Sequence, residues 1–190
     1  MTTAKQESNV MFILRLALTL LIIAGVVAAL LAAVNSVTAP AIAQLKAEKT
    51  QEAIAAVLEG GYHTELTADQ FDNQGGVVTK VYQGDNGYAV EVQPAGFDGA
   101  ITMMVGIDNE GNVTKIAVIS QTETAGLGAV CAANTSAGEA FRGEFVGANG
   151  SVSVDKDGGE IAAITGATIT SRAVCAGVNA ALNCVAGLNG

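Results

Sequence analysis

Hydrophobic and polar positions alternate in four distinct ways along the chain, and each predicts a different kind of element. Residues 16–34 are apolar or glycine except Thr19. At 1.5 Å per residue this run makes a helix of roughly 29 Å, close to the hydrocarbon thickness of a bilayer. A transmembrane helix is therefore expected over 11–37, with residues 16–34 in the hydrocarbon and a short tail over 1–10. Residues 41–58 place Ile42, Leu45, Ala53, Ile54 and Val57 among charged positions at helical spacing, which predicts a helical stalk over 38–60. Shorter runs of strand type follow. Those over 77–83 and 88–93 flank Gly84-Asp85-Asn86-Gly87, and those over 100–107 and 113–120 flank Asp108-Asn109-Glu110-Gly111-Asn112, so two hairpins are expected. The run Lys115-Ile116-Ala117-Val118-Ile119 is continuously apolar after the lysine, as in a strand covered on both faces. A helix over 137–145, a strand over 151–154, a buried strand over 160–164 and an apolar helix from Ser171 through Leu182 complete the pattern. It reads as α+β: one domain over 61–190 with a mainly antiparallel sheet and flanking helices.

A cleaved signal peptide competes for the N-terminal run. The run is longer than a typical signal core, and the small-residue site Val37-Thr38-Ala39 is followed by Pro40, which favours an uncleaved anchor. Lys5 and Arg15 on one flank balance Lys46 and Lys49 on the other, and Arg15, nearest the bilayer, tips the expected orientation toward an extracytoplasmic domain. Beyond Pro40 there are seventeen Asp or Glu against seven Lys or Arg, a net charge of −10. Nucleic acid and anionic lipid surfaces are thereby excluded as partners of the domain. His63 is the lone histidine, expected at the surface, and no second histidine or cysteine pair at ligand spacing assembles a metal site. Neither is any residue set expected to act as a hydrolytic catalyst. Cys175 and Cys184 lie on opposite faces of the final helix, roughly 13 Å apart along its axis, too far for a disulfide. Cys131 is free to pair with one of them, or all three are buried as small hydrophobes.

Two strings carry candidate chemistry. Thr165-Gly166-Ala167-Thr168 falls between an apolar run and an apolar helix, where backbone N–H groups lack intrahelical partners and the helix dipole favours a phosphate. A hydroxyl there can contact a phosphate or carry one as an ester. The bland alternative is an ordinary helix start capped by Thr170 or Ser171. Gln121-Thr122-Glu123-Thr124-Ala125-Gly126-Leu127-Gly128 follows a strand. Its glycines let the backbone approach a ligand, and Leu127 can cover the face of a planar heterocycle.

Taken in order, the membrane helix, the Gly87-Tyr88 strand, the hairpin over 99–111, Thr122-Glu123-Thr124-Ala125-Gly126-Leu127-Gly128, a helix with Phe141 and Phe145, and Thr165-Gly166-Ala167-Thr168-Ile169-Thr170-Ser171 resemble the FMN-binding domain family. Within that family the likeness is to the G subunits of Rnf electron-transport complexes, and next to the C subunits of sodium-translocating NADH:quinone reductases, which usually carry extra insertions. The resemblance implies FMN joined by a phosphoester to Thr168, a modification made from FAD by a separate flavin transferase. It implies that Thr165, Gly166, Ala167 and Thr170 belong to the attachment motif, and that Glu123, Thr124, Gly126, Leu127 and Gly128 lie close to the flavin. It further implies an electron-transfer subunit of an ion-translocating ferredoxin:NAD⁺ oxidoreductase, in a complex with other membrane subunits and without turnover of its own. The coupling ion, the flavin's potential and its immediate redox partners are left open. No Rossmann glycine fingerprint is present, consistent with a subunit that does not bind NAD⁺ itself. Two positions depart from the family pattern: Ala162 stands where Asp is usual, and Ala125 where Pro is common. The first keeps a third reading open, a membrane-anchored assembly module that never receives flavin.

Overall fold

The computed structural model describes residues 3–58, 60 and 63–189, with side chains from Met11 onward. Met1 and Thr2 of the N-terminal tail, the side chain of Lys5, and Gly61-Tyr62 beside His63 lie outside the described residues. Two compact units are present, residues 1–47 and Glu48–Gly190.

The first unit belongs to α1, Thr3–Val57, whose apolar stretch is long enough to cross a membrane by length and composition. Pro40 sits inside the helix and deletes one backbone donor. Nearby, the hydroxyls of Ser36 and Thr38 donate to the carbonyls of Ala33 and Val34, so these polar groups are satisfied within the helix itself.

The second unit is built on a five-stranded antiparallel sheet in the order β1 (His63–Glu65), β2 (Val78–Gly84), β3 (Gly87–Val92), β4 (Thr102–Asp108) and β5 (Val113–Ser120). Each turn follows from its residues. Asp85 and Asn86 close the β2–β3 hairpin, and Gly87, at φ +147°, leaves room for the carbonyl of Ile107 on β4. Asp108 accepts from the N–H groups of Glu110 and Asn112 at 2.9 and 2.8 Å and so shapes the β4–β5 turn, where Gly111 takes φ +85°.

Alternation along the strands divides the buried side chains between two faces. Val81, Val90, Val92, Met103 and Val105 pack with Val174, Val178 and Ala181 of α3 (Thr168–Asn189) and with Phe141 of α2 (Ser136–Gly143). Tyr82, Ala89 and Met104 face the other way and are covered by Ala53, Ile54, Val57 and Leu58, the last residues of α1 and the one after it. Gly84 and Gly106 make that approach possible. A Cβ on Gly84 would stand 2.8 Å from Leu58 Cδ2, and one on Gly106 would stand 2.8 Å from Val57 Cβ. The hydroxyl of Thr114 donates to the Val57 carbonyl at 3.0 Å, satisfying a group the helix end leaves open.

Several expectations need correction. The doubly covered strand is β3, all six of whose residues are buried, whereas β5 lies at the sheet edge with Ala117, Val118 and Ile119 only half-buried. The segments 151–154 and 160–164 are not strands; a single parallel bridge joins Val154 to Ile161. Side chains take the place of a ladder there. Asn179 bonds both the N–H and the carbonyl of Val152, at 2.7 and 2.8 Å. Glu144 accepts from the Ala162 N–H at 2.6 Å, and Asp155 from the Ala163 N–H at 3.1 Å. The strand β1 was not expected: it is three residues long, and the half-buried His63 in it packs edge-on against Tyr82 at 5.6 Å between ring centres. All three cysteines are free and buried, which closes the disulfide alternative.

Candidate cofactor site

At one end of α3 the two candidate strings come together. The link Ile164–Ala167 is a tight turn in which the Ala167 N–H donates to the Ile164 carbonyl at 2.9 Å, with Gly166 at φ +76° as a type II turn requires. The helix then starts at Thr168, three residues earlier than the apolar pattern indicated. Thr170 and Ser171 do not cap it. Ser171 is fully buried, accepting from the Ile164 N–H at 3.0 Å and donating to the Ala167 carbonyl at 3.1 Å, so it fastens the turn to the helix. Ala167 occupies the cap position, and alanine supplies no side-chain oxygen to the first N–H groups. Among the described residues, therefore, no side-chain acceptor meets the orphan donors and positive dipole end with which the helix opens.

The second string makes the facing wall. Leu127 donates its N–H to the Thr124 carbonyl at 3.1 Å, and Gly126 in that turn has φ +77°. A 3-10 turn, Gly128–Ala132, follows. Between the walls lies a cleft of about 360 Å³. Thr168 lines it together with Gly166, Ala167, Ile169 and Thr170 from the helix side, and Glu123, Thr124, Leu127 and Gly128 from the loop side. Thr165 and Gly126 do not line the cleft; they belong to the two turns that shape it. Phe97 and Ile169 were not singled out from the sequence, yet both line the cleft and are exposed at 66% and 50%. The available signal for Phe97 was a lone aromatic residue in the glycine-bounded loop Gly96-Phe97-Asp98-Gly99.

Glu123 holds the arrangement together. It is 6% exposed. Its Oε1 accepts from the backbone N–H groups of Phe97 and Asp98 at 2.9 and 3.0 Å, and its Oε2 accepts from the Thr170 hydroxyl. One carboxylate thus ties the β3–β4 loop, the loop after β5 and the first turn of α3. Gly128 is what the tie needs locally: a Cβ there would lie 2.5 Å from Thr170 Oγ1 and 2.6 Å from Glu123 Oε2. A Cβ on Gly96 would collide with Glu123 Oε1.

The cleft joins apolar surface and hydroxyl groups to the open end of a helix. Phe97, Leu127 and Ile169 offer exposed apolar surface, hydroxyls come from Thr124, Thr168 and Thr170, and no Lys or Arg is among the described residues lining the cleft. Among the described residues no group of three or more His, Cys, Asp or Glu is placed to hold a metal ion. Ala162, at the departure from the family pattern, is exposed, with the carboxylates of Glu144 and Asp155 on its own and the next backbone amide. Asp157, whose carboxyl is held low by the hydrogen bonds from Arg172, pairs with that guanidinium at 2.6 and 2.7 Å. The three cysteine thiols are pushed up to about 11 by burial and take no part in the cleft lining.

Residues 96–183 match the model of the FMN-binding domain family. The chain is 32% identical over 187 residues to the G subunit of the ion-translocating oxidoreductase complex of Methanosarcina acetivorans, covering 94% of this chain and 97% of that protein. It is 32% identical over 197 residues to the G subunit of the Na(+)-translocating ferredoxin:NAD(+) oxidoreductase complex of Acetobacterium woodii, with 94% of each chain covered. Over 170 residues it is 31% identical to the G subunit of the proton-translocating ferredoxin:NAD(+) oxidoreductase complex of Clostridium ljungdahlii, with 85% of each covered.

Proposed function

Because the chain belongs to the G-subunit family of ion-translocating oxidoreductase complexes and carries its FMN-binding domain, we propose that it is a membrane-anchored electron-transfer subunit of a ferredoxin:NAD⁺ oxidoreductase, holding FMN as a phosphoester on Thr168. The observation that carries the covalent assignment is the meeting of the Thr168 hydroxyl, an uncapped helix start and an apolar cleft at one place. A flavin bound there supplies one- and two-electron redox chemistry.

The chain's own residues divide the remaining work. In attachment from FAD by a flavin transferase, Thr168 Oγ1 would bond to the FMN phosphorus as the pyrophosphate bond of FAD breaks, and AMP would leave while the hydroxyl proton passes to solvent. The N–H groups at the start of α3 would hold the phosphate, aided by the positive end of the helix dipole. A phosphodiester carries one negative charge, where a free phosphate monoester carries close to two at neutral pH. A cleft with no Lys or Arg among its described lining residues fits the ester better than the free nucleotide, and a covalent link keeps the carrier in place between electron transfers. Phe97, Leu127 and Ile169 provide apolar surface that would hold the ring and shield one side of it from water.

In this reading residues 61–190 are the flavin-bearing part and 38–60 the helical connection to the membrane anchor. The domain lies on the extracytoplasmic side, docked to other members of the complex. Mass spectrometry of the denatured full chain, expressed with a flavin transferase, tests the site: the peptide containing Thr168 gains an FMN phosphoester, and Thr168→Val abolishes it while the far-ultraviolet circular dichroism is unchanged. Covalent flavin on the Thr168→Val protein would remove Thr168 from the assignment.

A further inference from the structure

Glu123 does more than hold loops. Both its oxygens accept hydrogen bonds, two from backbone N–H groups and one from the Thr170 hydroxyl, so every partner of the carboxyl is a donor. The side chain is thus surrounded by donors. It is 6% exposed and lines the same cleft as Thr168, and no Lys or Arg is among the described residues lining that cleft. A buried anion is screened weakly by solvent, so its field reaches a ring in the cleft at more than surface strength.

We propose that Glu123 is a positioning residue that also sets the flavin's redox potential, its fixed negative charge opposing the arrival of electrons on the ring. The inference rests on FMN being held at Thr168. Each electron that enters the ring without a proton adds one negative charge beside the carboxylate, so the charge makes reduction harder. The Thr170 hydroxyl acts in the opposite sense, since its hydrogen bond draws off part of that charge.

The two partners therefore give variants with opposite effects. Glu123→Gln keeps an oxygen for the Phe97 and Asp98 N–H groups and removes the charge; the midpoint potential of its FMN should rise. Thr170→Val keeps the charge and removes its donor; the potential should fall. A loosened cleft alone would move both potentials the same way. The experiment is an anaerobic spectroelectrochemical titration with dithionite, on the full chain in detergent after coexpression with a flavin transferase. Peptide mapping of the same samples reports whether Thr168 carries FMN. A higher potential in Glu123→Gln together with a lower one in Thr170→Val supports the proposal. No shift or a lower potential in Glu123→Gln, or shifts of one sign, overturn it. If Glu123→Gln yields no folded protein, Thr170→Val decides alone: a lower potential supports the role, and an unchanged or higher one overturns it. A wild-type chain without FMN on Thr168 overturns the site assignment itself, and the mapping shows this before any potential is measured.

Discussion

Gly128 offers the sharpest test of how the cleft is built, because it separates steric need from backbone strain. Its φ lies outside the left-handed region, so alanine there is not strained by its backbone. The added methyl would stand 2.5 Å from Thr170 Oγ1, 2.6 Å from Glu123 Oε2 and 2.9 Å from Glu123 Cβ. Glu123 cannot retreat without giving up the N–H groups of Phe97 and Asp98, and Thr170 is fixed in the first turn of α3. Gly128→Ala must therefore break the Glu123–Thr170 bond. Overpacking costs about 1–3 kcal/mol, and a lost hydrogen bond to a charged group costs about 1.5–3 kcal/mol. A total near 4 kcal/mol corresponds to a fall in Tm of about 12 °C for a domain of this size. Gly126, two residues earlier, is the control: at φ +77° with nothing within 4 Å of its added Cβ, alanine pays only for the left-handed backbone. That is about 1–2 kcal/mol, a fall of about 5 °C. Thermal melts of the two variants in detergent, followed by near-ultraviolet circular dichroism, measure both. A Gly128→Ala melt no lower than that of Gly126→Ala would refute the packing argument.

Other outcomes follow from neighbouring features. Ala125 sits second in the turn closed by Leu127 and Thr124, the position that proline pre-forms, so Ala125→Pro should stabilise the chain by about 0.5–1 kcal/mol and raise the melting temperature. The Ala163 N–H lowers the Asp155 carboxyl, and the hydrogen bonds from Arg172 lower that of Asp157. With folded values depressed, their stabilisation is present above the ordinary aspartate value and is lost as pH falls through the depressed ones. Urea midpoints should thus decline below about pH 4, and the double variant Asp155→Asn, Asp157→Asn should flatten that decline. With thiols pushed up to about 11, about one in a thousand is ionised at pH 8. Ellman's reagent should find none in the native chain within an hour and three after unfolding, matching the three cysteines of the sequence.

The hairpins were legible in the sequence because their turn chemistry is local: Asp85-Asn86 and the Asp108 side chain act on backbone within a few positions. The apolar run over 160–164 misled because the N–H groups of Ala162, Ala163 and Ile164 go to side chains from elsewhere in the chain, those of Glu144, Asp155 and Ser171. The start of α3 was misplaced for a related reason. Thr170 has a good capping side chain, yet its hydroxyl is committed to Glu123, forty-seven residues earlier, and the cap falls to an alanine. Phe97 was not legible because an exposed aromatic residue has no periodic signature, and only the fold brings its loop to the helix end. Of the cleft, the two glycine-bearing strings were readable in sequence; their junction through one buried carboxylate was not.

The end of α1 covers one face of the sheet, with Ala53, Ile54, Val57 and Leu58 lying over Tyr82, Ala89 and Met104. That placement governs where the chain can be cut. A fragment beginning after residue 60 would present Tyr82, Ala89 and Met104 to water as a contiguous apolar surface, inviting self-association. It would also leave the backs of Gly84 and Gly106 bare, where no side chain of the sheet's own can fill the gap. A fragment beginning at Glu48 retains the cover and the Thr114 bond to Val57. For anyone preparing a detergent-free version of this protein, solubility is decided by a helical turn that sequence inspection assigns to the linker.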